Sequence, residues 1–388
     1  MRTSSRIAGV PPYLFAEIDR KKDEALTKGV DVINLGVGDP DRPTPAWVVE
    51  RLRQEASKPA NHRYPDYCGL FSFRRAMADY YYRRFEVKLD PTLEVMTAIG
   101  SKEGLAHLVW ALVGPSDVAL VPDPAYPVYA TQVGLAGGEV YHLPLRAENR
   151  FLPDLAAIPE AIARRAKVIF INYPNNPTGG VADLKFFREA VAFAKAYDLV
   201  LVHDGAYLEM TFDGYNAPSI LEVPGAKEVA VEFYSLSKPF NMTGWRLGAC
   251  VGNRHVLNAL GIIKTNTDSG QWNAIQEAGI EALNHEPEVF FREMNGLYRR
   301  RRDILVEGLA RAGWKVPVSM GTFYLWAPVP GGQDDATFAG RLLSEAGVIV
   351  TPGSAYGPYG NGYVRMALTV EEERLGQAVS RIGKVLAG

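Results

Sequence analysis

The sequence is poor in cysteine, with only Cys68 and Cys250 among 388 residues. Two cysteines so far apart exclude a disulfide framework and a CxxC metal site. The six histidines show neither HExxH nor HxH spacing, so the sequence predicts no metal site.

An excess of charge and long apolar runs are also lacking. The 42 basic and 44 acidic side chains leave a net charge of −2, which excludes a general electrostatic attraction to nucleic acid or anionic membranes but not a local basic pocket. The longest apolar stretch, residues 105–113, is far shorter than the roughly 20 residues that span a bilayer. The first 15 residues contain no apolar signal-peptide core. We therefore expect a cytoplasmic enzyme.

The sequence does contain a repeated alternation of short apolar runs and helical segments, beginning near Val32. Continuous apolar strands separated by helices indicate a mostly parallel sheet covered on both faces, and thus the α/β class. The predicted strands are VMTAI (95–99), VALVP (118–122), KVIFINY (167–173), LVLVHD (199–204), VEFYSLS (231–237) and GACVG (248–252). One helix is predicted over residues 182–197, with its apolar face at Phe186, Phe187, Ala190, Val191 and Ala194.

At roughly 150 residues per domain, the length predicts two or three domains. Residues 1–30 resemble an arm, in which Pro11-Pro12 breaks any long helix and residues 18–28 read as a short amphipathic helix. The sequence predicts three parts, namely this arm, a large domain (31–275) and a small C-terminal α+β domain (276–388). The small domain begins with a helical segment that extends to residue 312. The strands predicted in the small domain are WKVPVS (314–319), TFYLWAPV (322–329), VIVTPG (348–353) and YVRMALTV (363–370).

Polar residues follow four of the predicted strands, at the end where open α/β sheets bind ligands. Gly100 and Ser101 lie at the start of a helix, where backbone N–H groups suit a phosphate. The segment PNNPTGG (174–180) predicts an unusual turn. Taken singly, these two patterns are equally those of an ordinary helix cap and an ordinary turn.

The other two strand ends carry charged side chains. Asp204 ends one strand and is followed by Tyr207; a buried acid there needs a cation beside it, and the alternative is a helix N-cap. Lys238 follows the next strand, where burial would lower its pKa and make its amine nucleophilic; the alternative is a surface lysine in a loop. Arg246, eight residues later, offers a planar fork to a phosphate.

Together these strand ends match the groups that pyridoxal phosphate requires. The phosphate needs backbone N–H groups and Arg246, and the aldehyde needs Lys238. The pyridine nitrogen needs a carboxylate, Asp204, that keeps it protonated. The phenolic oxygen needs donors and the ring face needs an aromatic side chain, for which the candidates are Asn176, Tyr207 and Tyr126.

On these residues, the sequence resembles the fold-type I, class I/II aminotransferases over essentially its whole length. It is most similar to the LL-diaminopimelate aminotransferase group. The resemblance implies pyridoxal 5'-phosphate as cofactor, and a large domain with a mostly parallel, seven-stranded sheet between helices. It also implies a smaller α+β domain, with which the arm packs. The motifs that resemble the family are NLGVGDPDRPTP (34–45), YPNNPTGG (173–180), HDGAY (203–207), SLSKPFNMTGWRLG (235–248) and YVRMAL (363–368). The motifs that resemble the LL-diaminopimelate aminotransferase group are PPYLFAEI (11–18), HRYPDYCG (62–69), IGSKEGLAH (99–107), PDPAYPVY (122–129) and NMTGWR (241–246).

The resemblance also implies a role for each matching residue. Lys238 would bond to the cofactor and move the substrate proton, with Asp204 and Tyr207 as the other catalytic residues. Tyr64 would reach the cofactor phosphate of the partner subunit, in a homodimer with shared sites. The remaining cofactor-binding residues would be Ser101, Lys102, Tyr126, Asn176, Ser235, Ser237 and Arg246. The substrate-binding residues would be Tyr13, Gly36, Lys102, Tyr126, Asn176, Asn273 and, on the α-carboxylate, Arg365.

The implied activity is a ping-pong transfer of an amino group between an L-amino acid and a 2-oxo acid. The implied substrates are LL-diaminopimelate and 2-oxoglutarate, in lysine biosynthesis. Cys68 stands in a segment where family members often carry an acidic residue for the distal amino group of the substrate. A broader specificity for aspartate, alanine, aromatic or aminoadipate-type substrates stays open, as does a carbon–sulfur lyase on the same fold. A transcription regulator would carry a basic DNA-binding domain before the fold, which only about 30 residues precede here.

Overall fold

The computed structural model describes residues 4–8, 10 and 14–388. Its strands, in chain order, are β1 (Ile33–Asn34), β2 (Val95–Ala98), β3 (Val118–Asp123), β4 (Glu139–Pro144), β5 (Ala166–Ile171), β6 (Val200–Asp204), β7 (Ala230–Ser235), β8 (Gly248–Gly252), β9 (Tyr324–Pro328), β10 (Val348–Ile349), β11 (Thr351–Pro352) and β12 (Tyr363–Ala367). Its helices are α1 (Ser5–Ala8), α2 (Leu14–Thr27), α3 (Ala46–Ala56), α4 (Phe71–Phe85), α5 (Ser101–Leu112), α6 (Val128–Ala136), α7 (Glu160–Ala163), α8 (Leu184–Tyr197), α9 (Arg254–Thr267), α10 (Asn273–Asn284), α11 (Pro287–Arg311), α12 (Asp335–Ala346) and α13 (Glu372–Ala387).

Seven strands form the main sheet, in the order β2-β8-β7-β6-β5-β3-β4. In this sheet β8 runs antiparallel to β2 and β7, whereas the other pairs are parallel. Successive residues of β5 alternate between two buried apolar clusters, with Ile169 and Ile171 in one and Val168 and Phe170 in the other. Both faces are therefore covered, which explains why the strands are continuous apolar runs. The predicted α/β class with a mostly parallel sheet is confirmed.

Helix α8 shows how the sequence produces one of the covering helices. The carboxylate of Asp183 accepts a hydrogen bond from the N–H of Phe186 at 2.9 Å and so caps the helix start. The apolar residues then recur every three or four positions, which places them on one side of the helix. This predicted apolar face is buried, at Phe186, Phe187, Ala190, Val191 and Ala194.

A second buried core lies beside the main sheet and is built largely from both ends of the chain, together with Tyr207, Met210 and Phe212 from its middle. Strands β9, β11 and β12 form an antiparallel sheet, and β1 pairs in parallel with β10. Ile33 and Leu35 share this core with residues of α11, α12 and α13. The segment that follows β1 is thus anchored on the second core, although it precedes every strand of the main sheet.

Some details differ from the sequence prediction. Residues 314–319 form no strand, because Pro317 has no N–H to donate and the exposed side chain of Val318 gives no burial. Strand β4 was not predicted, since most of its residues are only partly buried at the sheet edge and it lacks an apolar run. The boundary predicted between residues 275 and 276 falls inside α10, and the domain division stays a prediction. Among the described residues, no helix is both long and apolar enough to cross a membrane.

Candidate active site

A cavity of about 340 Å³ opens where strands β5, β6 and β7 end. Side chains that follow parallel strands meet at the same edge of a sheet, so residues far apart in the sequence converge here. The predicted site residues that line the cavity are Ser101, Lys102, Tyr126, Asn176, Asp204, Tyr207, Ser235, Ser237, Lys238 and Arg246.

One end of the cavity is suited to an anion. Helix α5 begins at Ser101, whose hydroxyl oxygen is buried without a hydrogen bond. Gly100 has φ +75°, and a Cβ there would lie 2.3 Å from a guanidinium nitrogen of Arg246, so only glycine allows this close approach. Backbone N–H groups at a helix start, a guanidinium and an orphaned hydroxyl together form a phosphate-type site.

Asp204 lies deep in the cavity and is only half satisfied. The hydroxyl of Tyr129 donates to its Oδ2 at 2.6 Å, and the amide of Asn172 donates to its backbone oxygen at 2.6 Å. The other carboxylate oxygen, Oδ1, is buried without a hydrogen bond. Burial raises the pKa of Asp204, whereas the bond from Tyr129 lowers it. A cationic N–H group at Oδ1 would stabilise the ionised carboxylate.

Lys238 presents an amine of reduced basicity. Its Nζ donates to the backbone oxygen of Gly38 at 3.1 Å. Burial lowers the pKa of Lys238 to about 8, with smaller contributions from Arg365 and Arg246, while Asp39 opposes the shift. A larger fraction of this amine is therefore neutral near pH 7 than for an ordinary lysine, as a nucleophile or a base requires.

Arg365 connects the second core to the cavity. Its fully buried guanidinium donates to Asn176 Oδ1 at 2.9 Å and to the backbone oxygen of Gly36 at 2.6 Å. It lies over the ring of Tyr324, 3.9 Å from the centroid. The backbone N–H of Asn176 is held in turn by Asn172 at 2.8 Å. This cation is thus fixed in place beside the cavity, as a carboxylate site requires.

Two tyrosines complete the lining. The hydroxyl of Tyr207 donates to that of Tyr324 at 3.2 Å, and burial raises the pKa of Tyr207 well above its ordinary value. Tyr207 therefore stays protonated near neutral pH and can donate a hydrogen bond. Tyr126 lies edge-on to Tyr129 at a centroid distance of 5.9 Å, with its side chain at the cavity wall.

Of the predicted site residues that the structure describes, Gly36, Tyr64, Asn273 and Arg365 are not part of this cavity lining. Tyr13 lies outside the described residues, and Asn273 begins α10. Tyr64 is 87% exposed. The roles of these residues stay predictions, and that of Tyr64 involves a partner subunit.

Sequence reasoning missed several residues of the site. Tyr129 stands three residues after Tyr126 and donates to Asp204 from behind the lining, and its place in the motif PDPAYPVY (122–129) could have suggested a second tyrosine of the site. Asn172 immediately precedes the YPNNPTGG motif and could have been included with it. Tyr324 carried no comparable local pattern, whereas Asp39 lies within the motif NLGVGDPDRPTP (34–45) but was given no role.

The comparisons with known proteins agree with this geometry. The family description "Aminotransferase class I and II" matches residues 30–382. The chain belongs to this aminotransferase family. The LL-diaminopimelate aminotransferases of Moorella thermoacetica and Aquifex aeolicus are 56% and 53% identical to it, over 100% and 98% of this chain and 99% and 98% of theirs. The predicted family membership is confirmed.

Solved structures show the same fold for this aminotransferase. Substrate-bound BacF from Bacillus subtilis superposes with a TM-score of 0.96 at 38% identity, covering 99% of this chain and 98% of that one. A probable N-succinyldiaminopimelate aminotransferase from Thermus thermophilus gives a TM-score of 0.91 at 39% identity, covering 96% of this chain and 100% of that one.

The bond from Tyr129 to Asp204 generates a pH prediction. Tyr129→Phe keeps the ring but removes a donor that favours the ionised carboxylate, so the pKa of Asp204 rises further. We expect the acidic limb of the kcat/KM profile to move to higher pH by about one unit, measured in steady-state assays across pH. Tyr215→Phe removes a hydroxyl that bonds the backbone oxygen of Ala182 and is the control. If the acidic limb does not move in Tyr129→Phe, the conclusion that the pKa of Asp204 determines this limb is contradicted.

Proposed function

We propose that this aminotransferase binds pyridoxal 5'-phosphate in the cavity and transfers an amino group between LL-diaminopimelate and 2-oxoglutarate, in lysine biosynthesis. One observation supports the cofactor: the amine of Lys238 and the carboxylate of Asp204, whose Oδ1 has no hydrogen bond, line the same cavity. The substrate is supported by relatives of that name that align along the whole chain.

The side chains fit the cofactor at each of its polar groups. Ser101 and Arg246 suit the phosphate, and the orphaned hydroxyl of Ser101 would gain an anionic acceptor. The unpaired Oδ1 of Asp204 would gain the N–H of a protonated ring nitrogen. Asn176 and Tyr207 are placed to donate to a phenolic oxygen.

When bound, the cofactor supplies an aldehyde that takes up the amino group and a conjugated ring that accepts the electron pair from the substrate Cα. Lys238 Nζ is the base that takes the Cα proton, since a pKa near 8 matches a working pH close to neutral. Asp204 holds the proton of the ring nitrogen in place. Arg365 binds the α-carboxylate through its planar fork and so fixes one end of the amino acid.

A homodimer with shared sites is part of the proposal. Tyr64, Tyr67 and Phe71 are exposed aromatic residues within one short segment, and the exposed Trp272 donates from its Nε1 to the backbone oxygen of Asn61, three residues before Tyr64, at 2.7 Å. Exposed aromatic clusters of this kind mark association surfaces. A second copy on this surface would bring its own Tyr64 towards the cavity. The cytoplasmic location stays a prediction.

The substrate assignment is tested with the purified holoenzyme. We expect kcat/KM with 2-oxoglutarate to be higher for LL-diaminopimelate than for meso-diaminopimelate, aspartate, phenylalanine or 2-aminoadipate by at least about tenfold. The measurement follows glutamate formation. Comparable values across the panel would support a broad-specificity aminotransferase, and release of pyruvate and ammonia from cystathionine would indicate a lyase.

The role of the lysine is tested by Lys238→Ala. Loss of the base is expected to lower kcat by roughly 10³-fold and to change the visible absorbance of the bound cofactor, because the covalent link is absent. Lys315→Ala, which removes an exposed lysine outside the cavity lining, is the control. Turnover near the wild-type rate in Lys238→Ala would refute the assignment.

Shared sites are tested with hybrid dimers of Tyr64→Ala and Lys238→Ala chains. One site of the hybrid would contain both residues and the other neither. We expect the hybrid to titrate with wild-type cofactor affinity and about half the activity per dimer, whereas the Tyr64→Ala homodimer binds cofactor about tenfold more weakly. Weakened affinity at the site of the hybrid that keeps Lys238 would place Tyr64 in its own chain's site, and wild-type affinity in the Tyr64→Ala homodimer would place it in neither.

A further inference from the structure

Asp39 is a carboxylate at the cavity that the proposed chemistry does not use. Among the described residues, the carboxylates that line the cavity are Asp39 and Asp204. Asp204 is bonded to Tyr129 and is assigned to the ring nitrogen. Asp39 is exposed and has no hydrogen bond or ion pair with the described residues. The cavity thus has one anionic group without a function.

The chain on either side of Asp39 is held firmly. On one side, Lys238 Nζ donates to the backbone oxygen of Gly38 at 3.1 Å. On the other side, Asp41 accepts two bonds of 2.7 Å from the guanidinium of Arg301, which is fully buried. A bidentate pair of this kind fixes both position and orientation. Asp39 is therefore presented to the cavity by a fixed backbone and not by a free loop.

The distal end of a diamino-dicarboxylate requires such a group. After Arg365 has bound the α-carboxylate, the substrate still carries a second ammonium group. About 5 Å separates the two amino-bearing carbons in an extended chain, and Asp39 lies near enough to Lys238 to raise the pKa of that amine. Cys68 is not part of the cavity lining, and burial raises the pKa of its thiol, so it offers no negative charge there.

We infer that Asp39 binds the distal ammonium group of the substrate and is a specificity-determining residue. The inference rests on the proposed function and deepens it. A carboxylate that pairs with the distal ammonium group distinguishes a diamino-dicarboxylate from an amino-dicarboxylate of the same length, because the latter leaves Asp39 desolvated without a partner.

The test compares two substrates of equal length in Asp39→Asn holoenzyme. LL-diaminopimelate carries the distal amino group, and L-2-aminopimelate has hydrogen in its place. We expect the ratio of their kcat/KM values, with 2-oxoglutarate as acceptor, to fall by about 10- to 100-fold relative to wild type. Any general effect of the lost charge on Lys238 acts on both substrates and cancels in this ratio.

Two variants serve as controls. Asp39→Glu keeps the carboxylate and should retain most of the ratio, and Asp79→Asn makes the same chemical change on the exposed side of α4. A ratio in Asp39→Asn equal to the wild-type ratio would overturn the inference and leave the proposed function standing. If the wild-type enzyme shows no preference for LL-diaminopimelate over 2-aminopimelate, both the inference and the proposed function are overturned. The wild-type ratio is therefore measured before any variant is made.

Discussion

The half-satisfied carboxylate of Asp204 is the constraint on which the site depends. A buried charged group that lacks a partner destabilises a fold by more than the roughly 1–3 kcal/mol of a neutral one. Here Oδ2 is bonded to Tyr129, while Oδ1 is left open towards the cavity. Strand β6 ends at this residue, so its position follows from the sheet itself. The fold therefore carries a local cost that a cationic ligand group relieves, which couples cofactor binding to stability.

The two buried cores explain why the cavity has opposite chemical ends. The main sheet supplies Ser101, Asp204 and Lys238 from the ends of its strands. The second core supplies Arg365 from β12, which reaches Asn176 across the boundary between the cores. Most of the proposed cofactor groups thus follow the main sheet, whereas Tyr207 and the substrate residue Arg365 belong to the second core and its sheet. Arg365 is bonded to both Asn176 and Gly36, so the proposed carboxylate site is directly linked to a proposed cofactor residue.

This division also sets what the sequence could predict. Ser101, Asn176, Asp204 and Lys238 directly follow or end apolar runs, and parallel strands bring such positions together whatever the packing details. By contrast, the contact of Arg365 with Asn176 joins residues 189 positions apart, and that of Tyr207 with Tyr324 joins residues 117 positions apart. Neither follows from local pattern, because both depend on the tertiary packing of distant segments of the chain. The role of Arg365 came from family resemblance alone, and Tyr324 was missed for the same physical reason.

The charges at the cavity indicate what the complete ligand set must supply. The cations Lys102, Lys238, Arg246 and Arg365 outnumber the carboxylates Asp39 and Asp204. Cations in excess at one site repel one another, and burial lowers the pKa of Lys238, with Arg365 and Arg246 adding to the shift. A ligand set of net negative charge relieves this repulsion, as a phosphate-bearing cofactor and a dicarboxylate do together. Asp39 lines the same cavity, so the ligands can also include a second ammonium group. That ammonium group would then have a carboxylate beside it and not only cations.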